Sequence, residues 1–133
     1  MIIALNDSSD IPIYLQLRNQ IVQGISDGQL APGEQLPTVR ALASEIGINS
    51  MTVSKAYQLL KQEGFIYSDR RNGARVRENF KQGKGLSENQ KELLKLIISE
   101  AQINGMSKED FFRECEAFFK EENEKESENK EEN

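Results

Sequence analysis

The chain has 133 residues, 37% of them hydrophobic, and a formal net charge of −5 with no histidine and one cysteine; that holds one ordinary domain, or a small one with a solvated appendage. Lone Cys115 excludes an intramolecular disulfide and a cysteine-rich zinc site, and without histidine the usual nucleophile pairs are gone, so no metal, cofactor or enzymatic activity is expected. No run reaches the ~18 apolar residues of a membrane span, and Met1-Ile2-Ile3-Ala4-Leu5 is too short and too uncharged for a secretory signal, which points to the cytoplasm.

In chain order, residues 12–27 predict a helix: Pro12 suits its first position, Tyr14, Leu17, Ile21 and Ile25 make one apolar stripe, and Gly28 stops it. A Pro32-Gly33 turn leads to Gln35-Leu36-Pro37, expected to be extended because a residue before proline avoids the helical region. Residues 39–46 predict a short helix with Thr38 as N-cap and Gly47 just past its end. The next helix is capped by Asn49 and ends at Gly64, with Met51, Val53, Ala56, Tyr57 and Leu60 as buried positions. Phe65-Ile66-Tyr67 and Ala74-Arg75-Val76 read as two strands around a hairpin tip at Asp69–Gly73. Residues 79–85 read as a linker. Ser87 and Gln90 form a capping-box pattern ahead of Leu93, Leu94, Ile97, Ile98 and Ala101, and Gly105 ends that helix. Ser107 and Asp110 open a last helix bearing Phe111, Phe112, Cys115, Phe118 and Phe119. Residues 121–133 hold only Glu, Lys, Asn and Ser, and with nothing apolar to offset ordering entropy they are expected to be disordered.

Charge is unevenly placed. Residues 38–77 carry seven basic side chains (Arg40, Lys55, Lys61, Arg70, Arg71, Arg75, Arg77) against three acidic ones, whereas residues 79–133 carry nine against fourteen. A contacting surface needs local field rather than global charge. Within the basic stretch, Ala43 is small where two helices must approach, Gly47 permits a left-handed turn, and Val53 anchors the second helix, with Leu42, Ile48 and Ala56 completing the wedge. Such a pair projects the second helix outward, where its N-terminal residues can enter a major groove; an ordinary helical hairpin is the alternative. Asn49, Ser50, Thr52, Ser54 and Lys55 suit base edges and phosphates, although Asn49 also serves as a cap. Arg40 opposes the helix dipole without an evident acidic partner, which points to an external anion. Arg70, Arg71 and Arg75 surround a hairpin tip suited to phosphate or a minor groove, or serve only as a solubilising turn.

These residues carry a resemblance. Pro12-Ile13-Tyr14-x-Gln16-Leu17, Gly28-x-Leu30-x-Pro32-Gly33-Glu34-x-Leu36-Pro37-Thr38-x-Arg40-x-Leu42-Ala43, Thr52-Val53-Ser54-Lys55-Ala56-Tyr57 and Glu63-Gly64 resemble the GntR family of winged-helix repressors over roughly residues 10–77. The resemblance implies DNA contacts from Arg40, Asn49, Ser50, Thr52 and Ser54, and from Gly73 in the wing. The family's Gly-x-Gly-Thr-Phe-Val wing stands here as Arg71-Asn72-Gly73-Ala74-Arg75-Val76, without the first glycine, the threonine and the aromatic. The short remainder resembles the YtrA-like subfamily, whose C-terminal region mainly dimerises.

The sequence therefore predicts a mainly α (α+β) fold. A winged helix-turn-helix occupies 1–78, a linker 79–85 and a two-helix dimerisation region 86–120, followed by a disordered acidic tail at 121–133. The expected DNA-binding residues are Arg40, Asn49, Ser50, Thr52, Ser54, Lys55, Arg71, Gly73 and Arg75. The expected dimerisation residues are Leu94, Ile97, Ile98, Phe111, Phe112, Cys115, Phe118 and Phe119, since four phenylalanines on one short helix need a partner surface. Packing within one chain's own hairpin is the alternative to a homodimer. Double-stranded DNA with a palindromic operator is the expected partner, and the resemblance adds control of a transporter operon; a winged helix binding protein or RNA is the rival. The sequence names no effector.

Overall fold

The computed structural model describes residues 3–71, 73–80 and 83–132, and in the last helix the side chains at 122, 123, 126 and 129–132 lie outside that description. Asn72 of the expected tip, positions 81 and 82 of the expected linker, the first two residues and the last one fall outside it as well.

Seven elements follow in chain order: α1 (Ile13–Ser26), α2 (Val39–Ile46), α3 (Ser50–Gln62), β1 (Ile66–Asp69), β2 (Gly73–Val76), α4 (Glu88–Ile103) and α5 (Lys108–Glu132). The predicted caps are where they were expected. Thr38 Oγ1 accepts from Ala41 N at 3.1 Å, Asn49 Oδ1 accepts from Met51 N at 2.8 Å, and Ser87 with Gln90 forms a reciprocal capping box. Pro12 is the N-cap of α1, one position ahead of its expected place.

The core lies among α1, α2, α3 and the sheet. Leu17, Ile21, Val53, Ala56 and Leu60 are fully enclosed, joined by Leu42, Tyr57, Ile66 and Val76. Removing such a side chain leaves a cavity, so Leu60→Ala costs about 2–5 kcal/mol. β1 and β2 pair antiparallel, with Ile66 opposite Val76 and Asp69 opposite Gly73. The extended segment before Pro37 adds to the free edge of β2: Leu36 N donates to Ala74 O at 2.8 Å and Val76 N to Glu34 O at 2.9 Å. The wing thus has a third, short partner fixed to the body of the domain.

The N-terminal segment is held by two glutamines one turn apart on α1, which the sequence pattern did not reveal. Gln16, 9% exposed, accepts from Asn6 N and donates to the carbonyls of Asn6 and Ile11; Gln20 accepts from Ala4 N and donates to Ala4 O. Each amide acts as a short piece of sheet edge, laying Ile3 and Leu5 against the core.

Two expectations need correction. Met51 was expected to be buried but is 77% exposed, because the first turn of α3 projects past the core and Val53 is the first residue to enter it. Residues 121–132 were expected to be disordered but continue α5 as helix. Glu and Lys are good helix formers, and ion pairs one turn apart (Lys120–Glu116 at 3.8 Å, Lys125–Glu121 at 4.0 Å) add modest local support.

Candidate nucleic-acid interface

α2 and α3 approach closely through Leu42 and Ala43 on one side and Val53 and Ala56 on the other, all buried. Gly47 turns the chain between them at φ 72°, a conformation that costs a side-chain-bearing residue strain even though a Cβ there would meet open space. Ile48 N closes the turn on Ala43 O at 3.0 Å. The chain therefore leaves α2 and enters α3 at a fixed angle, with the N-terminal turn of α3 standing outside the core.

That turn carries the predicted contact residues. Asn49 and Ser50 are exposed, and Thr52 and Ser54 are half-buried. Lys55 is exposed, its ammonium 4.0 Å from the centre of the Tyr14 ring on α1. A cation over an aromatic face is restrained at small desolvation cost, so Tyr14 fixes where that charge sits; this pairing across two helices leaves no periodic mark in the sequence. Arg40 is exposed in the first turn of α2, where there is no acidic residue, and no carboxylate pairs with it among the described residues. Its charge is available to an outside anion.

The wing separates its arginines. Arg70 and Arg71 are exposed at the tip, with Arg71 N bonded to Asp69 Oδ1 at 3.0 Å. Gly73 is exposed at φ 76°. Arg75 is half-buried and already engaged, donating from Nε to Asp69 Oδ2 at 2.9 Å and from Nη1 to Gly33 O at 2.7 Å. It braces the wing against the Pro-Gly turn. At the wing's base the Tyr67 hydroxyl donates to Glu78 Oε1 at 2.6 Å, and this bond raises the phenol's pKa.

The predicted dimerisation residues lie on α4 and α5, and among the described residues neither helix contributes to the core. Leu94, Ile97, Ile98, Phe112, Phe118 and Phe119 are exposed, while Phe111 and Cys115 are half-buried. Ile98, Ala101, Met106, Phe111 and Phe112 line an apolar hollow of about 260 Å³ between the two helices.

A compact helix pair with an outward second helix, flanked by a braced hairpin with basic residues at its tip, defines a winged helix-turn-helix of the kind found in DNA-binding transcription regulators. The chain is 38% identical over 109 residues to the HTH-type transcriptional repressor YtrA of Bacillus subtilis (strain 168), a match covering 80% of this chain and 84% of that one. It also resembles YtrA from Sulfolobus acidocaldarius, a GntR-family transcription factor, at 36% identity and TM-score 0.55, covering 90% and 97% of the two chains. A Listeria monocytogenes EGD-e protein named as a transcriptional antiterminator superposes with TM-score 0.80 at 28% identity, over 92% of each chain. The chain belongs to the family of bacterial regulatory proteins, gntR family, whose pattern it matches over residues 13–76. It is a DNA-binding transcriptional regulator of that family.

Proposed function

We propose that this regulator is a cytoplasmic homodimeric repressor of a palindromic operator, with no enzymatic activity. The observation that carries the reading is the first turn of α3: it projects past the core, carries the polar Asn49, Ser50 and Thr52, and is flanked by the available charge of Arg40 and the restrained charge of Lys55, while the same helix one turn later is core. In this reading Arg40, Asn49, Ser50, Thr52, Ser54 and Lys55 face the major groove and its phosphates, and Arg71 and Gly73 approach the adjacent backbone. Arg75 supports the wing from within.

The dimer reading rests on α4 and α5. Ile97 is 52% exposed, Phe118 60% and Phe119 73%, so one chain's own hairpin leaves most of this apolar surface in water. A second copy covers it with the same residues, as two-fold symmetry requires, and two α3 helices then demand an inverted repeat. Residues 1–78 serve as the reading head, 79–85 as linker and 86–120 as the dimer-forming part. The repressor sense is supported by the Bacillus relative, itself named a repressor.

Selecting bound sites from random duplex DNA tests the reading. An inverted repeat is expected, bound more tightly than either half-site and increasingly weakly as salt rises. Recovery of no preferred sequence, or equal competition by unrelated RNA, would overturn it in favour of an RNA- or protein-binding module. A reporter placed behind the selected site should be silenced by the chain; activation would reverse the sense of regulation.

A further inference from the structure

We propose that Met51 is a specificity-determining residue that reads the 5-methyl group of a thymine in the operator half-site. The inference deepens the proposed function and rests on it. Single exposed apolar side chains are ordinary on protein surfaces; this one is distinguished by its place. Met51 is 77% exposed in the first turn of α3, between Ser50 and Thr52.

The neighbouring side chains are short, and the Asn49 oxygen is occupied in capping Met51 N at 2.8 Å. Lys55 is longer but lies a turn further on, over the Tyr14 ring. Met51 is therefore the longest side chain on the turn that leads into the groove. Side chains of a helix lean toward its N-terminus, which aims Met51 ahead of α3 rather than back toward the core. The flexible thioether adapts to an irregular surface. On the floor of the major groove, the thymine methyl is the apolar group that distinguishes one base from the others. An apolar tip there gains by covering that methyl and loses by facing the amino group of cytosine or adenine, which it would strip of water without a partner.

The full-length chain is used with the inverted repeat selected from random duplex. Each thymine of one half-site is replaced in turn by deoxyuridine, which removes the 5-methyl and nothing else. At one position the parent should bind about fourfold more weakly, the weight of one buried methyl group. Met51→Ala should bind the thymine and uracil duplexes equally at that position while keeping the parent's response elsewhere. At 77% exposure the substitution leaves the core untouched, and an unchanged melting temperature confirms it. A uniformly flat uracil scan, a preferred half-site lacking thymine, or a Met51→Ala scan identical to the parent's would each overturn the role of Met51 alone. A selection with no preferred sequence removes operator recognition as well, and the two failures are thus distinguished.

Discussion

Arg40 and Thr52 stand at the starts of α2 and α3, one exposed and one half-buried, and neither belongs to the core. We predict that Arg40→Ala and Thr52→Ala each weaken operator binding five-fold or more, with unchanged melting temperatures. A lost base contact should cost about 1–3 kcal/mol and depend on the base opposite, whereas a lost phosphate contact should weaken all duplexes alike and lower the salt slope by about one. Parent-like affinity in both variants would move the recognition surface elsewhere. Tyr57 acts differently. Its hydroxyl donates to Pro37 O at 2.8 Å, tying α3 to the segment that leads into α2, and burial raises its pKa from 10.0 to about 12. The folded chain therefore keeps a proton that the unfolded chain releases above pH 10. This contribution to stability is fully present below pH 10 and is lost as the pH climbs toward 12. Tyr57→Phe should cost about 1 kcal/mol at neutral pH and flatten that part of the alkaline decline in denaturant titrations. An equally steep decline in the variant would assign it to other groups.

The short elements of the DNA-binding domain are each marked by a local device. Thr38, Gly47 and Asn49 bound α2 and α3 because capping and a left-handed turn need those residue types, so both were legible in the sequence. The clamps were not. Gln16 and Gln20 secure the N-terminal segment through backbone partners 10 and 16 residues away, and Arg18 binds Glu63 at 2.6 Å across 45 residues. Such pairings follow from tertiary proximity and leave no periodicity. Met51 was misread because the helical spacing that marks Val53, Ala56, Tyr57 and Leu60 does not say where the helix first enters the core. Arg75 looked like a wing contact because its link to Gly33 crosses 42 residues. On α4 and α5 the pattern was readable as apolar, and in the single chain most of that surface stays exposed. We predict that Ile97→Glu or Phe119→Glu shifts the protein to monomer in light scattering without changing the melting of the DNA-binding domain, whose core contains neither residue. A dimer surviving both substitutions would place the interface elsewhere.

At the scale of the whole molecule, charge and packing divide the chain at the same place. The basic stretch belongs to a domain with its own closed core, and the acidic remainder includes α4 and α5, which contribute nothing to that core among the described residues. A truncation after residue 80 should therefore fold, remain monomeric and bind a half-site, while losing the gain that two tethered heads have on an inverted repeat. The last turns of α5 add a further effect. Residues 121–133 carry seven glutamates against two lysines, and α5 continues as helix through Glu132. Such a rod repels phosphate whenever the duplex comes near it. We predict that deleting residues 121–133 leaves folding unchanged and strengthens binding to random duplex DNA at low salt. Screening sets the range: the difference should fade above ~0.1 M salt, where the Debye length falls to about 10 Å. Binding to the selected operator should change less in relative terms, because contacts to base edges do not depend on distant charge. Titrating random duplex with both forms at low and moderate salt decides the matter. Equal affinities at low salt would show that the acidic end stands too far from the DNA to act, and a lowered melting temperature after deletion would show that these turns support the fold.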